Sequence, residues 1–164
     1  MSMIRLILLF RGLLFFLVPI AHASDADAAV AILCPKHAEL APMIERVADS
    51  RRVDPVLLTA VVFSESSCNA NAIGSHGEVG LGQIMPSGPA ANGLTRAQLR
   101  GPETNLDATA RWLAACSVQC GGDLGLALGA YNSGGCVRSR YARRVLALVA
   151  KVWRTMSGMR ERKG

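Results

Sequence analysis

Apolar residues recur along this chain at the spacing of an α-helix, and this periodicity constrains its fold more than any other feature. Leu40, Ile44 and Val47 follow one another at i, i+4 and i+7, which places their side chains on one face of a helix. Comparable apolar stripes predict five helices, over 35–49, 54–67, 105–116, 123–131 and 139–153. No segment alternates apolar and polar residues as a half-buried strand does. The sequence therefore predicts a mainly α fold in a single domain.

Local signals refine where these helices begin and what lies between them. Asp54 and Pro55 suit the N-cap and the first position of the second helix. The glycine-rich stretch 68–101 is predicted to be a loop with short turns. The small, acidic segment 24–32 is predicted to be a frayed start, and residues 154–164 are predicted to be a basic tail.

Residues 1–23 have the order of charges and apolar residues that is typical of a cleaved signal peptide. Arg5 and Arg11 precede an uncharged apolar run, and the segment ends in the small-residue pattern Ala-His-Ala at Ala23. A membrane anchor is the alternative, but the run is shorter than the roughly 20 residues that span a bilayer, and Arg11 interrupts it. We expect cleavage after Ala23, a periplasmic or secreted product, and no membrane span in that product.

The cysteines fit an exported protein, because disulfides persist in oxidising compartments. Five of them follow the predicted signal: Cys34, Cys68, Cys116, Cys120 and Cys136. We expect at least one disulfide, and the sequence does not decide the pairing. A zinc site built on Cys116 and Cys120 is the alternative, but His37 and His76, the only histidines after the signal, are far apart in sequence. We expect no metal and no cofactor.

One carboxylate lies in an unusual place. Leu58, Val61 and Val62 share a helix face with Glu65. Burial at the end of an apolar stripe disfavours the charged form of a carboxyl and raises its pKa. A carboxyl that keeps its proton near neutral pH can serve as a general acid. The alternative is that Glu65 lies where the helix leaves the core and is solvated.

Further motifs follow Glu65 in a recognisable order. They are Glu65-Ser66, then Gly80-Leu81-Gly82-Gln83-Ile84-Met85-Pro86, and then Ala130-Tyr131-Asn132-Ser133-Gly134. Together they resemble the lytic transglycosylase domain of the soluble lytic transglycosylase type, in the lysozyme-like superfamily. The segments 102–106 and 111–113 resemble two further parts of that domain, so the resemblance runs from about residue 53 to residue 141. It implies a mainly α, lysozyme-like single domain.

The resemblance also implies an activity and a site. In this family a glutamate cleaves the β-1,4 bond between N-acetylmuramic acid and N-acetylglucosamine in peptidoglycan, and the product is a 1,6-anhydromuramoyl sugar. Carried over residue by residue, this makes Glu65 the catalytic residue, and Tyr131 matches the tyrosine that hydrogen-bonds it. The positions matched to substrate binding are Ser66, Gly80, Leu81, Gln83, Tyr131 and Asn132.

Three positions depart from the family pattern. Gly82 stands where methionine is usual, Ser133 replaces alanine, and Glu78 stands where a small residue is common. We expect Glu78 to be a solvated loop carboxylate. If it faced Glu65 across the sugar, it would instead suit a hydrolase, because glycoside hydrolysis ordinarily uses two carboxyl groups.

The resemblance divides the chain and defines its alternatives. Together with the charge and apolar patterns of the two termini, it divides the chain into a signal peptide at 1–23, an N-terminal segment with the first helix at 24–52, the lytic transglycosylase domain at 53–153 and a basic tail at 154–164. The alternatives are a muramidase that hydrolyses the same bond, and a non-catalytic wall-binding module of a secretion or pilus assembly. A Glu65→Gln variant that keeps wall-lysing activity would support the second.

The expected partners follow from the same resemblance and from charge. Peptidoglycan glycan strands are the expected substrate, and a secretion, pilus or phage assembly is a candidate partner. Residues 138–164 hold nine Lys or Arg and a single acid, which suits an anionic polymer. A solvated helix face with a frayed tail is the alternative. Export argues against nucleic acid as the partner.

Overall fold

The computed structural model describes residues 24–162, within which the chain folds into seven helices. These are α1 to α7, over Asp25–Leu33, Leu40–Arg51, Pro55–Ser66, Arg96–Leu99, Pro102–Gln119, Leu124–Ser133 and Arg140–Glu161. Within this range no strand forms, and only two isolated antiparallel bridges join Val79 to Ile73 and to Ile84. The mainly α prediction is therefore confirmed. The predicted signal peptide at 1–23 lies outside the described residues.

Helix α3 lies at the centre of the fold. It packs against α1, α2 and α7, and every residue from Val56 to Val62 is buried. The Asp54 carboxylate caps it by accepting a hydrogen bond of 2.9 Å from the backbone N–H of Leu57. Pro55 occupies the first turn, where its missing N–H leaves no helical hydrogen bond unmade. The predicted helix start is therefore present. Residues 56–62 are buried on all sides of the helix, whereas the sequence predicted burial of one face only.

The chain turns sharply at the end of α3. Ser67 and Cys68 have φ values of 53° and 68°, a left-handed conformation that non-glycine residues seldom adopt. Two such residues in succession end the helix and direct the chain back across its end. Glu65, in the last turn of α3, is thereby placed where the buried helix meets the surface.

The segment predicted as a frayed start is an ordered helix, so that prediction is wrong. Ser24 and Asp27 form a capping box at the start of α1, and Ala29 is fully buried in the core. Cys34, which caps the other end of α1, forms a disulfide with Cys68. The segment is rich in alanine, which favours helix formation but contributes little to an apolar stripe. The apolar pattern therefore did not reveal this helix.

Helix α7 is also longer than its apolar stripe predicted. It continues to Glu161, so residues 154–161 of the predicted basic tail are helical. Met156 continues the buried face of Val152 by one turn, beyond the predicted end at residue 153. Within residues 24–162, no helix combines the length and the hydropathy that are needed to cross a bilayer.

The cysteines form two disulfides, Cys34–Cys68 and Cys120–Cys136, which confirms the expectation of at least one. Cys116 is free and buried, and burial raises the pKa of its thiol to about 11. The zinc alternative is wrong for this pair, because the sulfur of Cys120 is bonded to Cys136. Across residues 24–162 no group of three or more potential ligands is placed to hold a metal ion.

Candidate active site

A cleft of about 500 Å³ opens where the end of α3, the following loop, α5 and α6 meet. Glu65 lines it from α3, Gln83 from the loop and Trp112 from α5, and Tyr131 and Asn132 line it from α6. This volume is typical of sites that bind small molecules. Four of the seven predicted site residues are therefore brought together in one cleft.

Glu65 is partly buried in this cleft, and its pKa is raised. The largest cause is burial, which disfavours the charged carboxylate. The hydroxyl of Tyr141 and the guanidinium of Arg144 act in the opposite direction, and the negative charge of Glu78 acts in the same direction as burial. The net result is a carboxyl that holds its proton to higher pH than an ordinary glutamate, as the sequence pattern predicted.

The tyrosine that acts most on the Glu65 carboxyl is Tyr141. The predicted hydrogen bond from Tyr131 to Glu65 is absent, because the Tyr131 hydroxyl donates its single proton to the carbonyl oxygen of Gly82 at 2.9 Å. The Tyr141 hydroxyl is buried and lowers the pKa of Glu65. Among the described residues, however, it completes no hydrogen bond of full geometry. Burial raises the pKa of both tyrosines, so both stay protonated.

Arg144 holds this group of aromatic and acidic side chains together from α7. Its guanidinium donates a hydrogen bond of 3.1 Å to the carbonyl oxygen of Ser64 and lies over the ring of Tyr141, 5.6 Å from its centroid. The rings of Tyr131 and Tyr141 stack with centroids 6.2 Å apart and planes 7° from parallel. A fixed positive charge therefore lies beside the last turn of α3, next to the candidate acid.

The side chain of Gln83 is oriented by the backbone of its own loop. Its amide nitrogen donates to the carbonyl oxygens of Gly80 at 2.9 Å and Ala72 at 3.4 Å. Both N–H groups are thereby used, and the side-chain oxygen is left as an acceptor. The backbone of Gln83 has a φ of 48°, and backbone strain of this kind is concentrated at functional sites.

Glu78 also lines the cleft, where it is a loop carboxylate that solvent still reaches, as the sequence predicted. Its side chain is 26% exposed, and it accepts a hydrogen bond of 3.0 Å from the backbone N–H of His76. The imidazole Nδ1 of His76 lies 3.3 Å from the other carboxylate oxygen. Backbone hydrogen bonds are the main cause that lowers the pKa of Glu78, and His76 adds to the effect.

Three predicted substrate-binding residues lie beneath the cleft instead of in it. Leu81 is fully buried in the core, and the Ser66 hydroxyl donates to the Leu81 carbonyl oxygen at 2.9 Å. Gly80 is buried with a φ of 74°, and a Cβ there would meet the amide of Asn105. These residues fasten the loop to the end of α3, so their role in the structure is to position the cleft.

Asn105, which the sequence motif included without a role, supports the same loop from α5. Its side chain is fully buried and donates to the carbonyl oxygens of Val79 at 2.8 Å and Leu99 at 2.9 Å. Its amide oxygen accepts from the backbone N–H of Gly82 at 2.8 Å. Both of its N–H donors and its oxygen are engaged by this segment, which fixes the backbone next to Gln83.

Gly82 is packed against the side chain of Thr109. A Cβ at position 82 would overlap the Thr109 hydroxyl and lie within 3.0 Å of both carbons of that side chain. Thr109 is buried on α5, where its hydroxyl donates to the backbone of Asn105 at 2.8 Å. The space where a side chain at position 82 would begin is therefore filled from the neighbouring helix.

Sequence reasoning missed some residues of this site. Trp112 lies in the segment 111–113, which resembles the family without implying a role, and Tyr141 falls on the apolar stripe of the helix predicted at 139–153. Arg144 falls on the basic face of that same helix. The departure of Glu78 from the family pattern was the one sequence signal that pointed to its place in the cleft. The contact between Tyr141 and Glu65 joins distant parts of the chain, and no local pattern reports such a contact.

A helical domain with a raised-pKa glutamate at a helix end, inside a cleft of about 500 Å³, has the architecture of the lysozyme-like class. A family model described as the transglycosylase SLT domain matches residues 42–151, well over half of the chain. The protein belongs to this transglycosylase SLT family. The family prediction made from the motifs is therefore confirmed.

A solved structure supports the fold independently. The chain is similar to the X-ray structure of an inactive glutamate-to-glutamine mutant of the lytic transglycosylase Slt from Pseudomonas aeruginosa, with a TM-score of 0.66 and 20% sequence identity. The match covers 78% of this chain and 26% of the Slt chain, so this chain spans about a quarter of the length of Slt. The predicted lysozyme-like fold is thus confirmed.

Proposed function

We propose that the protein is a peptidoglycan lytic transglycosylase in which Glu65 is the catalytic acid and base. The observation that carries the proposal is the partly buried Glu65 with a raised pKa, which lines the same cleft as Gln83, Tyr131 and Asn132. Membership of the SLT family supports the substrate class. The proposed reaction cleaves the β-1,4 bond between N-acetylmuramic acid and N-acetylglucosamine.

The chemistry needs one carboxyl that first gives and then takes a proton. Glu65 would donate its proton to the glycosidic oxygen as the bond to the anomeric carbon breaks. The 6-hydroxyl of the same muramic residue would then bond to that carbon and return its proton to Glu65. The product is a 1,6-anhydro ring, no water is consumed, and Glu65 ends in its starting state.

The raised pKa of Glu65 suits this cycle, because a general acid works best when its pKa lies near the pH at which it acts. Desolvation supplies that shift, and Tyr141 and Arg144 limit it. Gln83 lines the cleft from the loop and Asn132 lines it from α6. We assign them to substrate binding.

Digestion of purified peptidoglycan tests the proposal directly. The released muropeptides should carry 1,6-anhydromuramoyl ends, which are lighter by one water than reducing ends and are distinguished by mass spectrometry. Glu65→Gln keeps the size of the side chain and removes proton transfer, so turnover should fall by about 10²–10⁴-fold. A folded Glu65→Gln variant with wild-type activity would contradict the assignment and support the wall-binding alternative.

A muramidase that hydrolyses the same bond is the second candidate. The presence of Glu78 in the cleft with Glu65 favours it, because two carboxyl groups serve retaining and inverting hydrolysis. Reducing ends in the wild-type digest would establish this candidate and exclude the transglycosylase.

We propose a periplasmic or secreted location and action on the wall for a secretion, pilus or phage assembly. Two disulfides support an oxidising compartment, and the substrate class lies outside the cytoplasmic membrane. The exposed Arg140, Arg143 and Lys151 of α7 suit an anionic polymer. Amino-terminal sequencing of exported protein should begin at Ser24, and loss of the gene should impair the assembly that it serves.

A further inference from the structure

The wall of the cleft that carries Glu78 presents two acceptor oxygens side by side. Gly74 has no side chain, and a Cβ there would overlap both a carboxylate oxygen of Glu78 and the amide oxygen of Gln83. The two oxygens therefore flank the same small space. Because the Gln83 amide nitrogen is committed to the loop backbone, its oxygen cannot exchange places with a donor.

No hydrogen-bond donor of residues 24–162 lies between the carboxylate oxygen of Glu78 and the amide oxygen of Gln83. Glu78 accepts from the backbone N–H of His76, but none of residues 24–162 donates a hydrogen bond to the side-chain oxygen of Gln83. Two adjacent acceptors repel each other unless a donor or a positive charge lies against them. The arrangement is therefore complementary to a ligand that supplies hydroxyl or amide N–H donors, or positive charge.

Glu65 and Glu78 line the same cleft, and their environments oppose each other. Burial raises the pKa of Glu65 and favours its protonated form. Hydrogen bonds from the backbone of its loop lower the pKa of Glu78 and favour its ionised form. Two carboxyl groups whose pKa values are moved apart in one cleft are typical of a division of labour between an acid and a charged stabiliser.

We propose that Glu78 is a second catalytic carboxylate, which stays ionised and stabilises the positive charge that develops on the sugar ring as Glu65 protonates the leaving oxygen. This inference rests on the proposed glycan-cleaving function and deepens it. The transition state of glycoside cleavage has oxocarbenium character, so its charge is greatest at the anomeric carbon and the ring oxygen. Glu78 forms no bond and transfers no proton, and Gln83 accepts a hydrogen bond from the same sugar.

The test compares Glu78→Gln with wild type on soluble peptidoglycan strands, with kcat and KM measured separately across pH. The kcat of Glu78→Gln should fall by about 10²-fold, the order that removal of a preorganised electrostatic partner produces, while KM changes little. The matched control is Glu103→Gln, because Glu103 is an exposed carboxylate paired with Arg46 at 3.1 Å outside the cleft. Its kcat should equal that of wild type.

The pH profile distinguishes an electrostatic role from a structural one. The kcat of wild type should fall at low pH as Glu78 is protonated, which forms the acid limb of the profile. It should fall at high pH as Glu65 loses its proton, which forms the alkaline limb. In Glu78→Gln the acid limb should vanish. The alkaline limb should move to lower pH, because the charge of Glu78 raises the pKa of Glu65.

The neighbouring ionisable groups do not produce this pattern. Tyr131, Tyr141 and Arg144 face Glu65. Burial raises the pKa of the two tyrosines, so both keep their protons through the neutral range. His76 is the other titratable group beside Glu78, so a His76→Ala variant should retain the acid limb, displaced to higher pH. An acid limb that disappears in His76→Ala would assign it to the imidazole and overturn the inference.

The outcomes separate this inference from the proposed function. Wild-type kcat in Glu78→Gln, or a lower kcat with both limbs unmoved, overturns the role of Glu78 and leaves the transglycosylase intact. Reducing ends in the wild-type digest overturn the transglycosylase, while the kcat of Glu78→Gln still decides the role of Glu78. If Glu78→Gln does not fold, the comparison of wild type with His76→Ala decides, because His76 lowers the pKa of Glu78. An acid limb that moves to higher pH in His76→Ala supports the inference, and one that stays in place overturns it.

Discussion

The hydroxyl of Tyr131 donates a hydrogen bond of 2.9 Å to the carbonyl oxygen of Gly82, 49 residues earlier in the chain. Helix α6 thereby holds the loop that carries Gln83. Tyr131, the tyrosine of the family motif, therefore supports the wall of the cleft. The tyrosine beside Glu65 is Tyr141 of α7. The two tyrosines consequently differ in what their hydroxyl groups contribute.

Phenylalanine substitutions separate these contributions. Tyr131→Phe leaves the buried Gly82 carbonyl without its donor, so the free energy of unfolding should fall by about 1–3 kcal/mol. Tyr141→Phe removes a buried hydroxyl that completes no full hydrogen bond and should leave that free energy nearly unchanged. Urea unfolding of both variants measures the difference. Equal losses in the two variants would contradict the assignment of the supporting role to Tyr131.

Glu65→Gln should stabilise the protein, and the gain should depend on pH. A carboxyl whose pKa is higher in the folded than in the unfolded state contributes stability below the unfolded pKa and loses it as pH rises to the folded pKa. Glu65 is such a group. The stability difference between Glu65→Gln and wild type should therefore grow from about pH 4.5 upward and level off above the folded pKa. Thermal unfolding across this range measures it, and a difference that is constant with pH would refute the shift.

Arg144→Met should move the pH dependence of activity. Arg144 lowers the pKa of Glu65, so its removal should let Glu65 keep its proton to higher pH. The alkaline limb of the kcat profile should shift upward. Arg143→Met is the matched control, because Arg143 is exposed on the same helix and its side chain makes no hydrogen bond or ion pair with residues 24–162. A downward or absent shift in Arg144→Met, with the control unchanged, would contradict this role.

Removal of each disulfide should destabilise the fold according to the loop that it closes. The Cys34–Cys68 bridge spans 34 residues and the Cys120–Cys136 bridge spans 16. Loop-closure entropy predicts losses of about 4 and about 3 kcal/mol respectively. Paired serine substitutions, compared by urea unfolding under non-reducing conditions, test both values. The Cys34–Cys68 pair should also loosen α1, which hydrogen exchange would detect as lost protection.

Local signals predicted α3 and its acid well. Asp54 fixes the start of the helix by capping a backbone N–H, and Pro55 suits its first turn. The apolar stripe before Glu65 predicts that Glu65 is partly buried. Both features could therefore be derived from neighbouring residues. Helix α1 could not, because alanine gives a weak stripe and the disulfide of Cys34 depends on folding. The contact of Tyr141 with Glu65 arises only when α7 packs on α3, and the position of Glu78 depends on how its loop folds back.

The packing of Thr109 against Gly82 makes the two positions epistatic. Gly82 is held by hydrogen bonds at both its N–H and its carbonyl oxygen, so its backbone cannot retreat from α5 to admit a larger residue. The methionine that the family commonly carries at this position could be regained only after Thr109 had become smaller. Any mutational path between the two sequence types must therefore change the helix before the loop, and a sequence comparison that scores each position independently would misjudge the effect of either change.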